Sequence, residues 1–186
     1  MENNKPAFYE PSDFDFIKDL EKSYEKIKEE FFSVISTDEY KEWPQKDIYN
    51  SGWDIFDFRF FKEDNNYALT KCPVSSAFIK QHNDLVITAG FSIMRPNAII
   101  YPHVGYTDTV LRCHLGIKIP PGDCQIKVGG TSKKWTEGKA LLFDDTFLHE
   151  AWNKTDETRI VMLIDLDKKL LLNSDQHQAI SENKRF

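Results

Sequence analysis

Cysteine, long apolar runs and clustered positive charge are all in short supply in this 186-residue chain, and each shortage excludes something. Its three cysteines, Cys72, Cys113 and Cys124, stand far apart without a C-x-x-C pair. That is not the dense framework a small secreted domain needs, so a reducing compartment, the cytoplasm, is expected. No stretch approaches the ~20 apolar residues of a membrane span. The opening MENNKPAFYEPSDFDF lacks a basic segment followed by an apolar one, so neither a span nor an export signal is expected. Lys and Arg number 24 against 30 Asp and Glu, a net charge of -6, with no basic stripe interleaved with aromatics. Phosphate contacts dominate nucleic-acid affinity, so nucleic acid is not an expected partner. There is no repeat at solenoid period and no low-complexity tract.

What is present suits one globular domain over 1–186: 40% of the residues are hydrophobic and 13% aromatic, enough for a real core. From Ser12 to about residue 36, Ile17, Leu20, Tyr24, Ile27, Phe31 and Val34 recur three and four apart, which predicts an amphipathic helix packed outside the core. Ser12, with Asp15 three positions on, reads as its N-cap. Between Glu39 and Leu85 the aromatics Trp43, Trp53, Phe56, Phe58, Phe60 and Phe61 are interrupted by Pro44, Gly52 and a polar run, which suggests loops and short strands. From about 85 to 167, short apolar runs alternate with turn residues: VITAGFSIM, AIIYPHV, TVLRCHLGIKI, CQIKV, KALLFDD, LHEAWN and TRIVMLIDL. This is the pattern of a β-sandwich or barrel, so the expected fold is mainly β with flanking helices. Residues 172–186 form a polar tail in which His177 has no expected role.

Side chains alternate along a strand, so between Thr109 and Ile119 the residues Leu111, Cys113, Leu115 and Ile117 form an apolar face that must be buried. Val110, Arg112, His114, Gly116 and Lys118 share the other, which in an isolated strand would simply meet solvent. Two more histidines lie at strand edges, His103 in YPHVG and His149 in FDDTFLHE. Lone histidines are most often structural. A jelly roll, however, brings a histidine of an early strand beside one of a late strand, with a basic residue of the last core strand aimed into the same cavity. Arg159 opens that strand ten positions after His149. Imidazole suits Fe(II) in oxygenases that keep coordination positions open for a 2-oxo acid and O2. The far carboxylate of such a co-substrate needs a permanently charged, forked partner, which arginine is.

At this point the segments FSIMRP, YPHVGYTD, LRCHLGIKIPPGDCQIKVGG, WTEGKALLFDDTFLHEAWN and TRIVMLIDL resemble the catalytic domain of the aspartyl/asparaginyl β-hydroxylases, Fe(II)- and 2-oxoglutarate-dependent dioxygenases with a double-stranded β-helix (jelly-roll, cupin-like) fold. The resemblance covers Phe91 to Leu166 and is weak earlier, around Trp53. It implies that His103 and His149 are the metal ligands, and that Ser92 and Arg159 bind the distal carboxylate of 2-oxoglutarate. His114 and Arg112 would line the co-substrate and substrate side of the iron, and Trp53 the same pocket. The common facial triad places a carboxylate two residues after the first histidine. Here that residue is Gly105, and the resemblance implies that solvent replaces the carboxylate. Asp108, Asp144 and Asp145 are the alternatives for a third ligand, although Asp144 and Asp145 also suit local hydrogen bonds that order the loop before His149.

Animal members tend to carry a second arginine where this chain has Val110, so recognition of an aspartyl side chain is put in doubt. A free amino acid, a short or carrier-bound peptide, or a lipid acyl group is an equal expectation as substrate. The implied reaction is hydroxylation of an unactivated C–H bond, with Fe(II), 2-oxoglutarate and O2 as cofactors and co-substrates. Two rivals remain: a halogenase exploiting the space at Gly105, and a non-catalytic jelly-roll binding module. Two histidines alone fall short of a catalytic zinc set. Oligomeric state is left open.

Overall fold

The computed structural model describes residues 5–36 and 40–173. Two antiparallel sheets face each other. The larger has the order β1-β10-β7-β12-β5-β3-β2, with β4 paired to β3, and the smaller β6-β11-β8-β9. The strands are β1 (Phe8–Tyr9), β2 (Lys41–Glu42), β3 (Trp53–Phe60), β4 (Glu63–Asp64), β5 (Val86–Met94), β6 (Ile99–His103), β7 (Val110–Lys118), β8 (Cys124–Val128), β9 (Thr131–Lys133), β10 (Ala140–Phe143), β11 (His149–Asn153) and β12 (Arg159–Asp167). Among the described residues four α-helices accompany them, α1 (Asp15–Lys22), α2 (Tyr24–Val34), α3 (Asn66–Lys71) and α4 (Pro73–Gln81). The fold is a mainly β jelly roll flanked by helices, as expected.

The period-2 alternation sorts the large sheet into two buried faces. On β7, Leu111, Cys113, Leu115 and Ile117 join Ile160, Met162, Ile164 and Leu166 of β12 and Phe91 of β5 in a core shared with Ile17, Leu20, Ile27 and Phe31 of the helices. The opposite face of the same strands contributes Val161, Leu163 and Met94 to a second core, which includes Ile126 and Ala151 of the small sheet. The large sheet is therefore covered on both sides, and the face bearing Arg112 and His114 is buried rather than solvated, at 6% and 7% exposure. All three cysteines are buried and unpaired. No helix among the described residues is long and apolar enough to cross a membrane.

Three expectations are corrected. The N-terminal stripe is buried at Ile17, Leu20, Ile27, Phe31 and Val34, but the helix carrying it breaks at Ser23 into α1 and α2. Ser12 caps nothing: Pro11 starts a separate turn over Pro11–Asp13, and Phe14 takes the N-cap position of α1 without a side-chain bond. Proline's fixed φ favours opening a turn at its own position, which moves the helix start downstream. Finally, the region 39–85 holds a full strand, β3, beside β5, and two helices. Burial of β3 on both faces erases its alternation, and α3 and α4 are too short to show a period. The carboxylate of Glu30 in α2 accepts from Ser75 N at 3.0 Å and Ser75 Oγ at 2.7 Å, satisfying the N-terminus of α4.

Candidate active site

β6 is an edge strand of the small sheet, where Pro102 costs no ladder bond, and it ends at His103. β11 begins at His149, and the two histidines are register partners across the β6–β11 pair. Their rings lie 4.1 Å apart between centroids. Each Nδ1 meets a main-chain carbonyl two residues back: His103 donates to Tyr101 O at 2.7 Å and His149 to Phe147 O at 2.9 Å. A carbonyl can only accept, so both protons sit on Nδ1 and both Nε2 lone pairs are left for a ligand. Burial holds both rings below the ordinary histidine pKa, His149 at about 3, so they are neutral as metal ligands must be.

Between the sheets, beside this pair, is a small hollow. Its walls include Trp53 of β3, Ser92 of β5, Arg112 and His114 of β7, His149 of β11 and Arg159 of β12. Arg159 is 1% exposed. Its Nη1 donates to Ser92 O at 3.2 Å and Ser92 Oγ at 3.4 Å, and its guanidinium stacks 4.7 Å from the Trp135 ring centroid. Its Nε has no partner, and no carboxylate of the described residues pairs with it. Burial without an anion lowers its pKa to about 10. Trp53 Nε1 donates to Ser92 Oγ at 3.0 Å. His114 accepts from Trp135 Nε1 at its Nδ1, 3.2 Å away, so its proton is on Nε2, which is buried and unpartnered. Burial first, then Arg159 and Arg112, push the His114 pKa well below its usual value. The hollow thus presents an uncompensated cation and an unused N–H donor beside two open imidazole nitrogens. Such an arrangement could hold a small anion, and the two imidazoles could hold a metal beside it.

Arg112 sits differently. Its Nε and Nη2 donate to Asp165 Oδ1 and Oδ2 at 2.7 and 2.9 Å, and Asp145 Oδ2 lies 3.6 Å from Nη2. Burial opposes its charge, but Asp165 outweighs that and raises its pKa above the ordinary value. Of the three carboxylates weighed as a third ligand, Asp108 is exposed. Asp144 accepts from Thr146 N and Oγ1 and pairs with Lys168, so it does order its loop. Asp145 makes no such bonds, against expectation: both its oxygens are buried without a hydrogen-bond partner, and burial raises its pKa to about 6. No group of three or more His, Cys, Asp or Glu able to hold a metal occurs among the described residues. His177 lies outside them.

Every site residue named from the sequence, His103, His149, His114, Arg112, Ser92, Arg159 and Trp53, is at or beside this hollow. Asp165 and Trp135 were missed. Asp165 carried a signal, since stepping by two from Arg159 along the strand reaches it on the same face. Trp135 lies outside any strand and carried none.

Residues 21–169 match the family described as aspartyl/asparaginyl β-hydroxylase. An ornithine lipid ester-linked acyl 2-hydroxylase of Rhizobium tropici is 35% identical over 180 residues, covering 89% of this chain and 62% of that protein. The aspartyl/asparaginyl β-hydroxylase of Mus musculus is 29% identical over 161 residues, covering 82% of this chain and 21% of that protein. The chain therefore spans less than two thirds of the length of either relative. Among solved structures, a Pseudomonas putida prolyl-4-hydroxylase aligns with TM-score 0.54 at 14% identity, over 81% of this chain and 87% of that one. A non-heme α-ketoglutarate-dependent epimerase from nogalamycin biosynthesis aligns with TM-score 0.55 at 11% identity, over 78% and 72%. These two likenesses concern the fold.

Proposed function

The chain belongs to the aspartyl/asparaginyl β-hydroxylase family, and we propose that it hydroxylates an unactivated C–H bond using Fe(II), 2-oxoglutarate and O2. One observation carries the reading: Arg159 is a fully buried guanidinium without an anionic partner, facing the hollow beside two neutral histidines whose Nε2 atoms are free. A buried cation left unpaired is costly, and a carboxylate arriving with the co-substrate removes that cost. A pure structural core has no use for the arrangement.

His103 and His149 would hold the iron, each ring fixed in tautomer and orientation by its Nδ1 bond to the main chain. Arg159 and Ser92 would clasp the distal carboxylate of 2-oxoglutarate, with Trp53 keeping the Ser92 hydroxyl in place. His114 would donate from Nε2 to a co-substrate oxygen and, being neutral, would not compete with the metal for charge. When bound, iron with its co-substrates supplies the oxidising power: substrate C–H, 2-oxoglutarate and O2 become substrate C–OH, succinate and CO2. The protein's share is to hold the dicarboxylate in one orientation and to exclude water with the apolar walls Ile100, Ile126, Phe143 and Leu163.

The halogenase alternative loses ground at Gly105, because the space beside that residue is filled by the Asp145 carboxylate, an unfavourable neighbour for halide. The relatives' names support hydroxylation as the reaction class. The test is anaerobic titration of 2-oxoglutarate into Fe(II)-loaded protein, followed by exposure to O2. Binding followed by succinate release is expected, and protein that takes up iron yet binds no 2-oxoglutarate overturns the reading.

A further inference from the structure

One short loop, residues 144–147 between β10 and β11, governs both histidines. Phe147 O accepts from His149 Nδ1 at 2.9 Å, which sets the tautomer and plane of that ring. Asp145 O accepts from Gly105 N at 2.7 Å, two residues after His103, which ties down the chain where it leaves β6. Among the described residues no group of three or more His, Cys, Asp or Glu is placed to hold a metal. An ion here would depend on two imidazoles, so the aim of each counts for more than in a fuller set of protein ligands.

The loop is closed from within by Asp144, which is fully buried. Its Oδ1 accepts from Thr146 N at 3.2 Å and from Thr146 Oγ1 at 2.7 Å, and its carbonyl accepts from Phe147 N at 3.3 Å. Its Oδ2 is met by Lys168 Nζ, from 24 positions along the chain. Burial opposes the charge of Asp144, but Lys168 and Thr146 outweigh it and hold the carboxyl below its ordinary pKa. The side chains of the pair are 12% and 0% exposed, so this is not a solvated surface contact of little worth. Lys168 is itself anchored: it follows β12 directly, and its N–H donates to Thr109 O at 2.9 Å, beside the start of β7. The N-terminal segment converges on the same loop, Asp144 N donating to Ala7 O at 3.0 Å.

We propose that Lys168 is a positioning residue for metal binding: its ion pair with Asp144 locks residues 144–147 so that His103 and His149 present their Nε2 atoms to one ion. This rests on the hydroxylase reading above and adds to it a residue that lines no part of the hollow. Lys168 acts through Asp144, then through the carbonyls of Asp145 and Phe147, on the two rings.

The test compares full-length parent protein with two variants. Lys168→Gln keeps a donor but not the charge. Lys168→Met combined with Asp144→Asn is neutral at both positions, so no carboxylate is left buried without its cation, and an acceptor remains for Thr146. Anaerobic Fe(II) titration measures affinity, and nitrogen-15 NMR of the metal-free proteins reads the histidine tautomers. Both variants are expected to bind Fe(II) about tenfold or more weakly than the parent, and His149 to lose its single Nδ1–H tautomer. Ile79→Val, a core truncation on α4, controls for lost stability and should keep the parent's affinity and tautomer. Parent-like Fe(II) affinity, or an unchanged tautomer, in either folded variant overturns the assignment, as does equal weakening by Ile79→Val. Failure of the parent itself to take up Fe(II) strikes the hydroxylase reading instead.

Discussion

The main-chain N–H of Gly105 donates to the carbonyl of Asp145 at 2.7 Å, and a Cβ added at Gly105 would stand only 2.4 Å from Asp145 Cγ. Two residues after the first histidine, where the common facial triad carries its carboxylate, the chain has left room that another carboxylate fills from a different loop. Gly105→Asp should therefore fail by collision, destabilising the fold by about 3 kcal/mol. Gly105→Asp combined with Asp145→Gly should recover most of that loss, giving a large coupling in the double-mutant cycle. Thermal melts of the four proteins decide it; Gly105→Asp alone as stable as the parent would show that the space is not contested.

Arg159 sets a trade between stability and binding. Arg159→Met removes a buried cation that lacks a counter-charge, so the protein without co-substrate should gain about 1–3 kcal/mol while 2-oxoglutarate binding disappears. Arg159→Lys keeps the charge but not the fork, and should weaken 2-oxoglutarate by about tenfold or more with iron content unchanged. Denaturant melts and calorimetric titration measure the two halves. A destabilised Arg159→Met protein would mean that the guanidinium serves the fold.

His149→Ala should abolish iron retention while leaving the sheets intact, because His149 contributes a lone pair to the site and ties to the framework through main-chain carbonyls of its own loop, Phe147 O among them. Metal analysis beside a circular-dichroism spectrum checks it. Full iron loading of a folded variant would take this residue out of the metal centre.

How far the sequence could be read follows from what each segment buries. β7 was legible because one of its faces is purely apolar and the other mixes Arg112 and His114, so alternation survives in the letters. β3 was not, since Trp53, Ile55, Phe56 and Phe58 fill cores on both sides and the strand shows no single apolar face. The histidines and Arg159 stood out by type and order. Their partners did not: Asp165 hides inside the run RIVMLIDL, and the contact of Trp135 with His114 spans 21 positions. The orphaned state of Asp145 is a property of packing that no local pattern announces.

His114 makes the acid limb of stability predictable in metal-free protein. Burial together with Arg159 and Arg112 keeps its folded pKa well below that of the free side chain, near 6.5. Above pH 6.5 neither the folded nor the unfolded state protonates it, and it contributes no pH dependence. As the pH falls below 6.5 the unfolded chain takes up a proton that the folded chain refuses, so stability declines by about 1.4 kcal/mol per pH unit for this one group. His149, held at about 3, adds in the same direction, and Asp145, raised to about 6, acts oppositely because its folded form keeps the proton longer. Comparison with His114→Gln isolates the first contribution. Between pH 6.5 and 5 the urea midpoints of the two proteins should converge if the parent begins the more stable, or diverge in favour of the variant if it does not. In either case the difference should shift by about 1.4 kcal/mol per pH unit. Parallel curves would mean that His114 titrates alike in both states, and that the hollow admits enough water to solvate its charge.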